Sequence, residues 1–368
     1  DSMLGAVRSA FAAVLDLGIE TVSPDSDFFA LGGNSLAAVR VMDLLREQVS
    51  EPVRQQVDVT WFFDVATPAV IAARLDGLGR SGVAAAANAP LSLRPRSPFD
   101  ILVPLRGGSG DASSISDISG DRVPLICIHP AIGLVWSYTA LLPFIDPKTP
   151  VVGIQARGIA TTAPEPESVK EIARDYVNAV RADFPSGPYR LMGWSLGGLI
   201  AQAMAVEFER IDESVELIVL DAYPLCDETS PRQEMSVADL VREFVLDTEV
   251  DDDLTVDHAI ELVRGYGGPA TLLDDDQIRR LYDRYRLFVR LGYEHRPEHF
   301  GGDLTFFSAS HGQDGPRSPW AWRKYVGGSI SDHPVPTTHN EMGTPRALAQ
   351  VARKIDTRPL VPVSDRTR

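Results

Sequence analysis

The stretch Tyr189-Arg190-Leu191-Met192-Gly193-Trp194-Ser195-Leu196-Gly197-Gly198 decides how the larger part of this chain is read. Four residues of strand character run into a G-x-S-x-G turn, and a helical pattern carrying Ala201, Ala203 and Ala205 follows as far as Arg210. A strand, a tight turn with serine at its centre and a helix together make a nucleophile elbow. Glycine is required around the serine because side chains there would strike the flanking strand and helix, and the serine itself sits on a strained turn. The turn also sets Ser195 near a helix N-terminus, where the Leu196 N–H is a candidate donor to an oxyanion.

A serine hydroxyl is a weak nucleophile without a base, so an acid and a histidine are expected downstream, in the order Ser, Asp, His. Asp221 ends the apolar run Val215 to Leu220, one strand after the elbow, which puts it at the same carboxyl edge of the sheet as Ser195. Of seven histidines, His339 in Pro336-Thr337-Thr338-His339-Asn340-Glu341-Met342 best fits the base, since it follows the last strand and precedes a final helix starting near Pro345. His333 and His311 are its rivals; His258, His295 and His299 fall in a helical insertion. The second oxyanion donor is expected after an early strand, where Leu125–Ile128 leads into His129-Pro130-Ala131-Ile132-Gly133, making the Ala131 N–H the candidate and His129 a loop-shaping residue.

Outward from the elbow the pattern alternates. Strands are expected at Ile101–Leu105, Pro124–Ile128, Val151–Ile154, Tyr189–Met192, Val215–Leu220, Asp303–Phe307 and Gly328–Ile330, with helices over Val169–Asp183 and Leu196–Arg210. Such alternation predicts a mostly parallel sheet with helices on both faces. Residues 224–300 show helices only. Ser236 caps one of them in a box with Asp239, ahead of Val237, Leu240, Val241, Phe244 and Val245. Another starts after Asp274-Asp275-Asp276, acids suited to a helix N-terminus, and carries Ile278, Leu281, Tyr282, Tyr285 and Val289 on one side. An all-helical insertion of this kind predicts a lid; extra packing layers are the alternative.

Residues 1–76 read as a separate small all-α, four-helix bundle: an amphipathic stretch Leu4–Leu17, a loop at Ser23-Pro24-Asp25, a helix after Ser35 with Ala38, Val41, Met42, Leu45 and Val49, and a last helix over 69–75 after Thr67-Pro68. Asp27-Phe28-Phe29-Ala30-Leu31-Gly32-Gly33-Asn34-Ser35-Leu36 stands Ser35 at a helix head. That is compatible with a simple turn and cap, or with a hydroxyl bearing a phosphodiester that gains from the helix dipole. Residues 77–99, rich in Ala, Gly, Ser and Pro, read as a flexible linker, and Gly107–Gly120 as a surface loop.

Composition sets the outer bounds. The 368 residues suit two domains, and 44% apolar with 23% charged residues is a globular composition. A net charge of −16, from 51 acids against 35 bases, argues against nucleic acid or an anionic membrane as partner. Cys127 and Cys226 make neither a disulfide framework nor a zinc site, so no metal and a reducing, cytoplasmic setting are expected. No apolar run reaches the ~18 residues of a membrane span, and no signal peptide opens the chain. Its first residue, Asp1, suggests a piece of a longer polypeptide.

Residues 1–76 resemble a peptidyl carrier protein of a non-ribosomal peptide synthetase, whose serine in L-G-G-x-S-L bears a 4′-phosphopantetheine arm. The resemblance implies Ser35 as the attachment site and a phosphopantetheinyl transferase as the modifying partner. Acyl carriers of polyketide assembly more often show aspartate immediately before the serine, so Gly32-Gly33-Asn34 favours the peptide type. From about 97 to 357 the chain resembles the type I thioesterase domain that ends such synthetases, through the His129-Pro130-Ala131 loop, the Ser195 elbow, Leu220-Asp221 and the His339 loop with Met342. This implies an α/β-hydrolase fold over 100–357, a helical lid at about 224–300, a Ser195–His339–Asp221 triad and a C-terminal tail over 358–368. It further implies that a peptidyl thioester on the Ser35 arm passes to Ser195 and leaves by hydrolysis, macrocyclisation or oligomerisation. Implied partners are upstream condensation and adenylation domains, with carrier and thioesterase docking on each other. Glu51–Asp58 and Gly107–Gly120 look like insertions relative to the family. The alternatives are a carrier and docking fragment with an inactive hydrolase half, a polyketide-type acyl carrier–thioesterase, and a free-standing hydrolase of small esters. A reductase terminus is not indicated, because no strand is followed by G-x-G-x-x-G.

Overall fold

In the computed structural model of the chain, the described residues are 2–15, 17–28, 31, 35–54, 61, 67–80, 101–106, 122–146, 148–159, 162–224, 236–244, 254–266, 274–311 and 318–355. The expected linker beyond residue 80, the Gly107–Gly120 loop, Gly32–Asn34, Val245, Cys226, residues 55–58 of the Glu51–Asp58 stretch and the C-terminal tail lie outside them.

Among the described residues the N-terminal unit holds the α-helices α1 (Met3–Leu15), α2 (Ser35–Glu47), the short α3 (Glu51–Arg54) and α4 (Pro68–Arg80). Helical spacing puts Val7, Ala10 and Phe11 of α1, Val41, Met42 and Leu45 of α2, and Ile71, Ala72 and Leu75 of α4 into one core. Phe28 enters edge-on to Phe11, with ring centroids 4.8 Å apart, which ties it into this core. Arg8 pins the preceding turn through Nε to the Val22 carbonyl at 2.6 Å. Two boundaries differ from expectation. α1 stops at Leu15, and α4 runs to Arg80, four residues into the stretch read as linker; the helix that Pro68 starts is thirteen residues long and tolerates Gly77 and Gly79.

The larger unit is a seven-stranded sheet of order β1-β3-β2-β4-β5-β6-β7. The strands are β1 (Leu102–Arg106), β2 (Leu125–Ile128), β3 (Val151–Ile154), β4 (Tyr189–Trp194), β5 (Val215–Leu220), β6 (Leu304–Phe307) and β7 (Ile330–Asp332). All neighbours are parallel except β1, which pairs antiparallel with β3. Pro104, which has no N–H for a ladder, is accommodated on this edge strand. The parallel strands β2, β3 and β4 are buried along their full length, as a sheet covered on both faces requires. β7 lies two residues later than the glycine-containing run expected, because Gly328 N–H bonds to the Gly302 carbonyl and Ser329 N–H to Asp303 Oδ1 in a turn that precedes pairing.

Helices α5 (Val169–Asp183) and α6 (Leu196–Glu209) pack together over the sheet, and α10 (Pro345–Ile355) lies against a 3₁₀ segment, Trp136–Phe144. α6 follows the elbow and is buried along nearly all its length. In the helical insertion stand α7 (Val237–Phe244), α8 (Val256–Tyr266) and the twenty-residue α9 (Asp275–Glu294). The expected caps form: Ser236 Oγ accepts from Asp239 N–H while Asp239 Oδ2 accepts from Ser236 N–H, and Asp274 with Gln277 makes a full capping box. Buried Arg284 ties α9 to the carbonyls of Ala163 (2.5 Å) and Pro164 (3.4 Å), so the insertion is anchored to the loop beyond β3. α2 touches the Trp136–Phe144 segment, which brings the helix headed by Ser35 against the hydrolase unit.

Candidate active site

The elbow has the backbone its sequence demands. Ser195 sits at φ 56°, ψ −128°, an unfavourable region for a residue with a Cβ. It is held by its N–H to the Leu220 carbonyl at 3.1 Å and by its own carbonyl to Gly198 N–H at 2.9 Å. The glycines around it leave no alternative: a Cβ on Gly193 would stand 2.0 Å from the Gly197 carbonyl oxygen, and one on Gly198 2.5 Å from Ala222 Cβ. Tyr138, fully buried in the 3₁₀ segment, adds a brace. Its hydroxyl donates to the Ile128 carbonyl (2.9 Å) and accepts from Trp194 N–H (2.8 Å), which locks the ends of β2 and β4 together.

Three residues separated widely in sequence meet at this edge. His339 Nε2 lies 3.1 Å from Ser195 Oγ, and His339 Nδ1 lies 2.7 Å from Asp221 Oδ2. With Nδ1–H donating to the carboxylate, Nε2 is left as the acceptor for the serine proton. Asp221 is nearly inaccessible at 2%, while the His339 side chain is 34% exposed, so the dyad has a buried acid and an open base. The acid is well supported. Its Oδ1 accepts Ala309 N–H at 2.9 Å and Tyr223 Oη–H at 2.8 Å. Burial pushes the Asp221 carboxyl up, but the hydrogen bonds from His339, Ala309 and Tyr223 outweigh it and hold the group below the ordinary carboxylate range. The His339 loop is fixed by Glu341, whose Oε2 accepts Thr338 N–H (3.0 Å) and Thr338 Oγ1–H (2.8 Å), and by Met342, which is completely buried.

Ala131, Ser195 and Leu196 line one cavity of about 270 Å³, together with His339 and Asp221. The residues of the two proposed oxyanion donors thus line the same space as Ser195. His129 does not reach it. Fully buried, it bonds through Nδ1 to its own Pro130 carbonyl (2.6 Å) and through Nε2 to Tyr176 Oη (2.6 Å), and its ring packs on Phe288 of α9. Desolvation drives its pKa down to about 4, so it is a neutral structural histidine that shapes the loop carrying Ala131. The rivals of His339 are elsewhere: His333 stacks near Phe307 and His311 is exposed at the strand ends. α7 and α9 close the cavity from above through Asp239, Arg242, Tyr285, Phe288, Val289, Gly292 and Tyr293, which bears out a covering role for these two helices.

Several of these residues were not anticipated. Tyr223 follows the acid by two positions, and Tyr138 lies in a segment with neither helical nor strand periodicity. Asp239 carried a capping signal that concealed its second role as cavity wall, and Arg242 was not singled out by any pattern. Ser35 opens α2, a helix of thirteen residues. Among the described residues no cluster of metal-ligating side chains occurs.

A parallel sheet with a nucleophile elbow, a histidine loop after the last strand and a supported acid after β5 defines a serine hydrolase of the α/β-hydrolase class. The Thioesterase domain family model matches residues 123–358, and the Phosphopantetheine attachment site model matches residues 5–75. The chain belongs to the thioesterase family and joins to it a phosphopantetheine-attachment unit. It is 33% identical over 345 residues to a dimodular nonribosomal peptide synthase of Bacillus subtilis strain 168, covering 92% of this chain and 13% of that protein. Enterobactin synthase component F of Escherichia coli K12 is 29% identical, covering 87% of this chain and 22% of that protein. This chain therefore spans only a small part of the relatives' length. A four-domain nonribosomal peptide synthetase, crystallised in its holo form with AMP and glycine, superposes with a TM-score of 0.62 at 19% identity, over 98% of this chain and 26% of that one. The Vlm2 thioesterase domain gives 0.55 at 21%, over 71% of this chain and 98% of that domain. Both share the fold.

Proposed function

We propose that this chain is the terminal carrier–thioesterase of a nonribosomal peptide synthetase, with residues 1–76 as carrier, 77–99 as linker, 100–357 as thioesterase and 358–368 as tail. The observation that carries the reading is the Asp221–His339–Ser195 chain of hydrogen bonds, with 2.7 and 3.1 Å between its members. In the reaction, His339 Nε2 takes the Ser195 proton as Oγ attacks the thioester carbonyl, the Ala131 and Leu196 N–H groups hold the oxyanion, and Asp221 stabilises the imidazolium. The thiolate leaves with the proton from His339, and an acyl ester remains on Ser195. Water, or an amine or hydroxyl of the acyl chain, loses a proton to His339 and releases the product. The 4′-phosphopantetheine on Ser35 supplies, when attached, the thioester and a flexible tether. Upstream condensation and adenylation domains deliver the chain, a phosphopantetheinyl transferase modifies Ser35, and the reaction runs in the cytoplasm; no helix among the described residues is long and apolar enough to cross a membrane.

The test is mass spectrometry of product released from a synthetic peptidyl arm loaded on Ser35, comparing wild type with Ser195→Ala. Linear acid indicates hydrolysis and a product lighter by one water indicates cyclisation. Undiminished release by Ser195→Ala overturns the mechanism. Failure of a fluorophosphonate to label Ser195 would point to the inactive-half alternative, and no mass gain with coenzyme A and transferase to a free-standing hydrolase.

A further inference from the structure

Tyr176 of α5 is 2% exposed and reaches the loop after β2 from 47 residues further along the chain. Its Oη stands 2.6 Å from His129 Nε2, and His129 Nδ1 stands 2.6 Å from the Pro130 carbonyl oxygen. A carbonyl oxygen can only accept, so Nδ1 carries the proton; Nε2 is then an acceptor and takes the Tyr176 O–H. Burial pushes the Tyr176 phenol far up, which keeps that hydrogen in place. The Pro130 carbonyl also accepts Gly133 N–H at 2.9 Å, and the Gly133 carbonyl accepts Ala156 N–H at 2.9 Å, which ties the turn to the segment after β3. From the other side Phe288, an α9 residue lining the cavity, packs on the His129 ring with centroids 5.2 Å apart.

We propose that Tyr176 is a positioning residue for the oxyanion site, acting through His129 on the Pro130–Ala131 peptide. The inference rests on the thioesterase reading above. A trans peptide is planar with its N–H antiparallel to its C=O, so whatever holds the Pro130 carbonyl also holds the Ala131 N–H. Of the two donors to that carbonyl, Nδ1–H depends on a histidine kept in one tautomer and one ring orientation, and the Tyr176 O–H keeps it there. Hydrogen bonds in such a chain also polarise one another, so a donor to the carbonyl makes the N–H of the same peptide a better donor in turn. Tyr176 is not part of the cavity wall, so its hydroxyl acts on the reaction through this chain, when charge develops on the acyl oxygen. The opposing reading, in which the hydroxyl merely satisfies a buried imidazole, predicts lost stability without a selective loss of oxyanion binding.

The experiment uses the full chain, an N-acetylcysteamine acyl thioester, and two ketones carrying the same acyl group. With a trifluoromethyl ketone, Ser195 Oγ bonds to the ketone carbon, its proton passes to His339, and the ketone oxygen becomes an oxyanion. The matching methyl ketone binds without adding. Tyr176→Phe lowers kcat about fivefold with KM little changed, and weakens the trifluoromethyl ketone by the same factor while sparing the methyl ketone. His129→Leu loses about a hundredfold in kcat. His129→Asn, whose amide nitrogen still donates to the Pro130 carbonyl, retains more. Each variant is assayed well below its own melting temperature. Undiminished turnover by Tyr176→Phe, or equal weakening of both ketones, overturns the role of Tyr176 while leaving the thioesterase reading intact. Equal losses in His129→Asn and His129→Leu overturn the route through the Pro130 carbonyl. Absence of thioester turnover by the wild type overturns the thioesterase reading and this inference together.

Discussion

Replacing Gly197 with alanine tests whether the elbow and the His129 loop set one oxyanion site between them. The added Cβ would stand 2.4 Å from the Ile128 carbonyl oxygen and 2.7 Å from that of His129. Carbon and oxygen in contact need about 3.3 Å, so the two backbones must part by roughly 0.6 to 0.9 Å. Neither carbonyl swings aside freely: Ile128 O accepts the Tyr138 hydroxyl, and His129 N–H is tied to the Ile154 carbonyl. Either the His129–Ala131 segment or the head of α6 moves, and both responses separate the Ala131 N–H from the Leu196 N–H. A misplacement near 1 Å costs about 10²-fold in rate, and overpacking of this kind costs about 1–3 kcal/mol of stability. We expect kcat for a soluble thioester to fall about a hundredfold, with KM little altered. Single-turnover acylation measured well below the variant's melting temperature, beside a circular-dichroism melt, separates this from unfolding. A folded Gly197→Ala protein with kcat within about threefold of wild type would refute the shared oxyanion site.

Tyr223→Phe removes one of the donors to Asp221, so the carboxyl rises toward its ordinary value; the variant should lose about 1 kcal/mol at neutral pH. Because the folded carboxyl is held low, that stabilisation is present above the ordinary carboxylate range and fades as pH falls through the folded value. Urea titrations should therefore show the gap narrowing below pH ~4. His129 and His295 are both depressed to about 4 by burial, so the unfolded chain binds more protons between that value and ~6.5 and stability should fall as pH drops through this window. His295→Gln should lose less over the same window in a pH series of melts. Arg190, buried in β4, bridges Glu216 at 2.7 Å and donates to the Ile355 carbonyl at 2.7 Å. Arg190→Leu should cost about 3 kcal/mol, against less than ~0.5 kcal/mol for Arg174→Ala, whose bond to Glu207 is largely exposed; chemical denaturation measures both.

The elements that were legible in the sequence are those in which one local pattern decides the answer. Val151–Ile154, Val215–Leu220 and Val169–Asp183 form as the pattern predicts, since the two strands are apolar apart from Glu216 and the helix carries a clean buried stripe with Ser168 as its cap. Ser195, Asp221 and His339 were identifiable because the elbow fixes the sheet edge and chain order then restricts the partners. The 3₁₀ segment at Trp136–Phe144 was not legible: with Pro143 near its end and apolar residues on most sides, it has no single period to detect. Nor was the antiparallel placement of β1, which depends on which edge of the sheet remains open. Arg284 was equally concealed, since a buried arginine on α9 makes sense only once the Ala163 and Pro164 carbonyls are known to lie opposite. Tyr223 and Tyr138 act across strand ends, where spacing along the chain carries no information about distance.

Among the described residues, three other than glycine hold a left-handed backbone: Ser195 at φ 56°, Asp221 at 44° and Asp212 at 58°. Two of the three are the nucleophile and the acid. Such conformations cost about 1–3 kcal/mol apiece, a standing tax on folding that serves no packing purpose at Ser195 or Asp221. A lineage released from turnover would shed it readily, since glycine at either position relieves the strain in a single mutation. The first scar expected of an idle descendant is therefore a more stable protein with a glycine at the elbow.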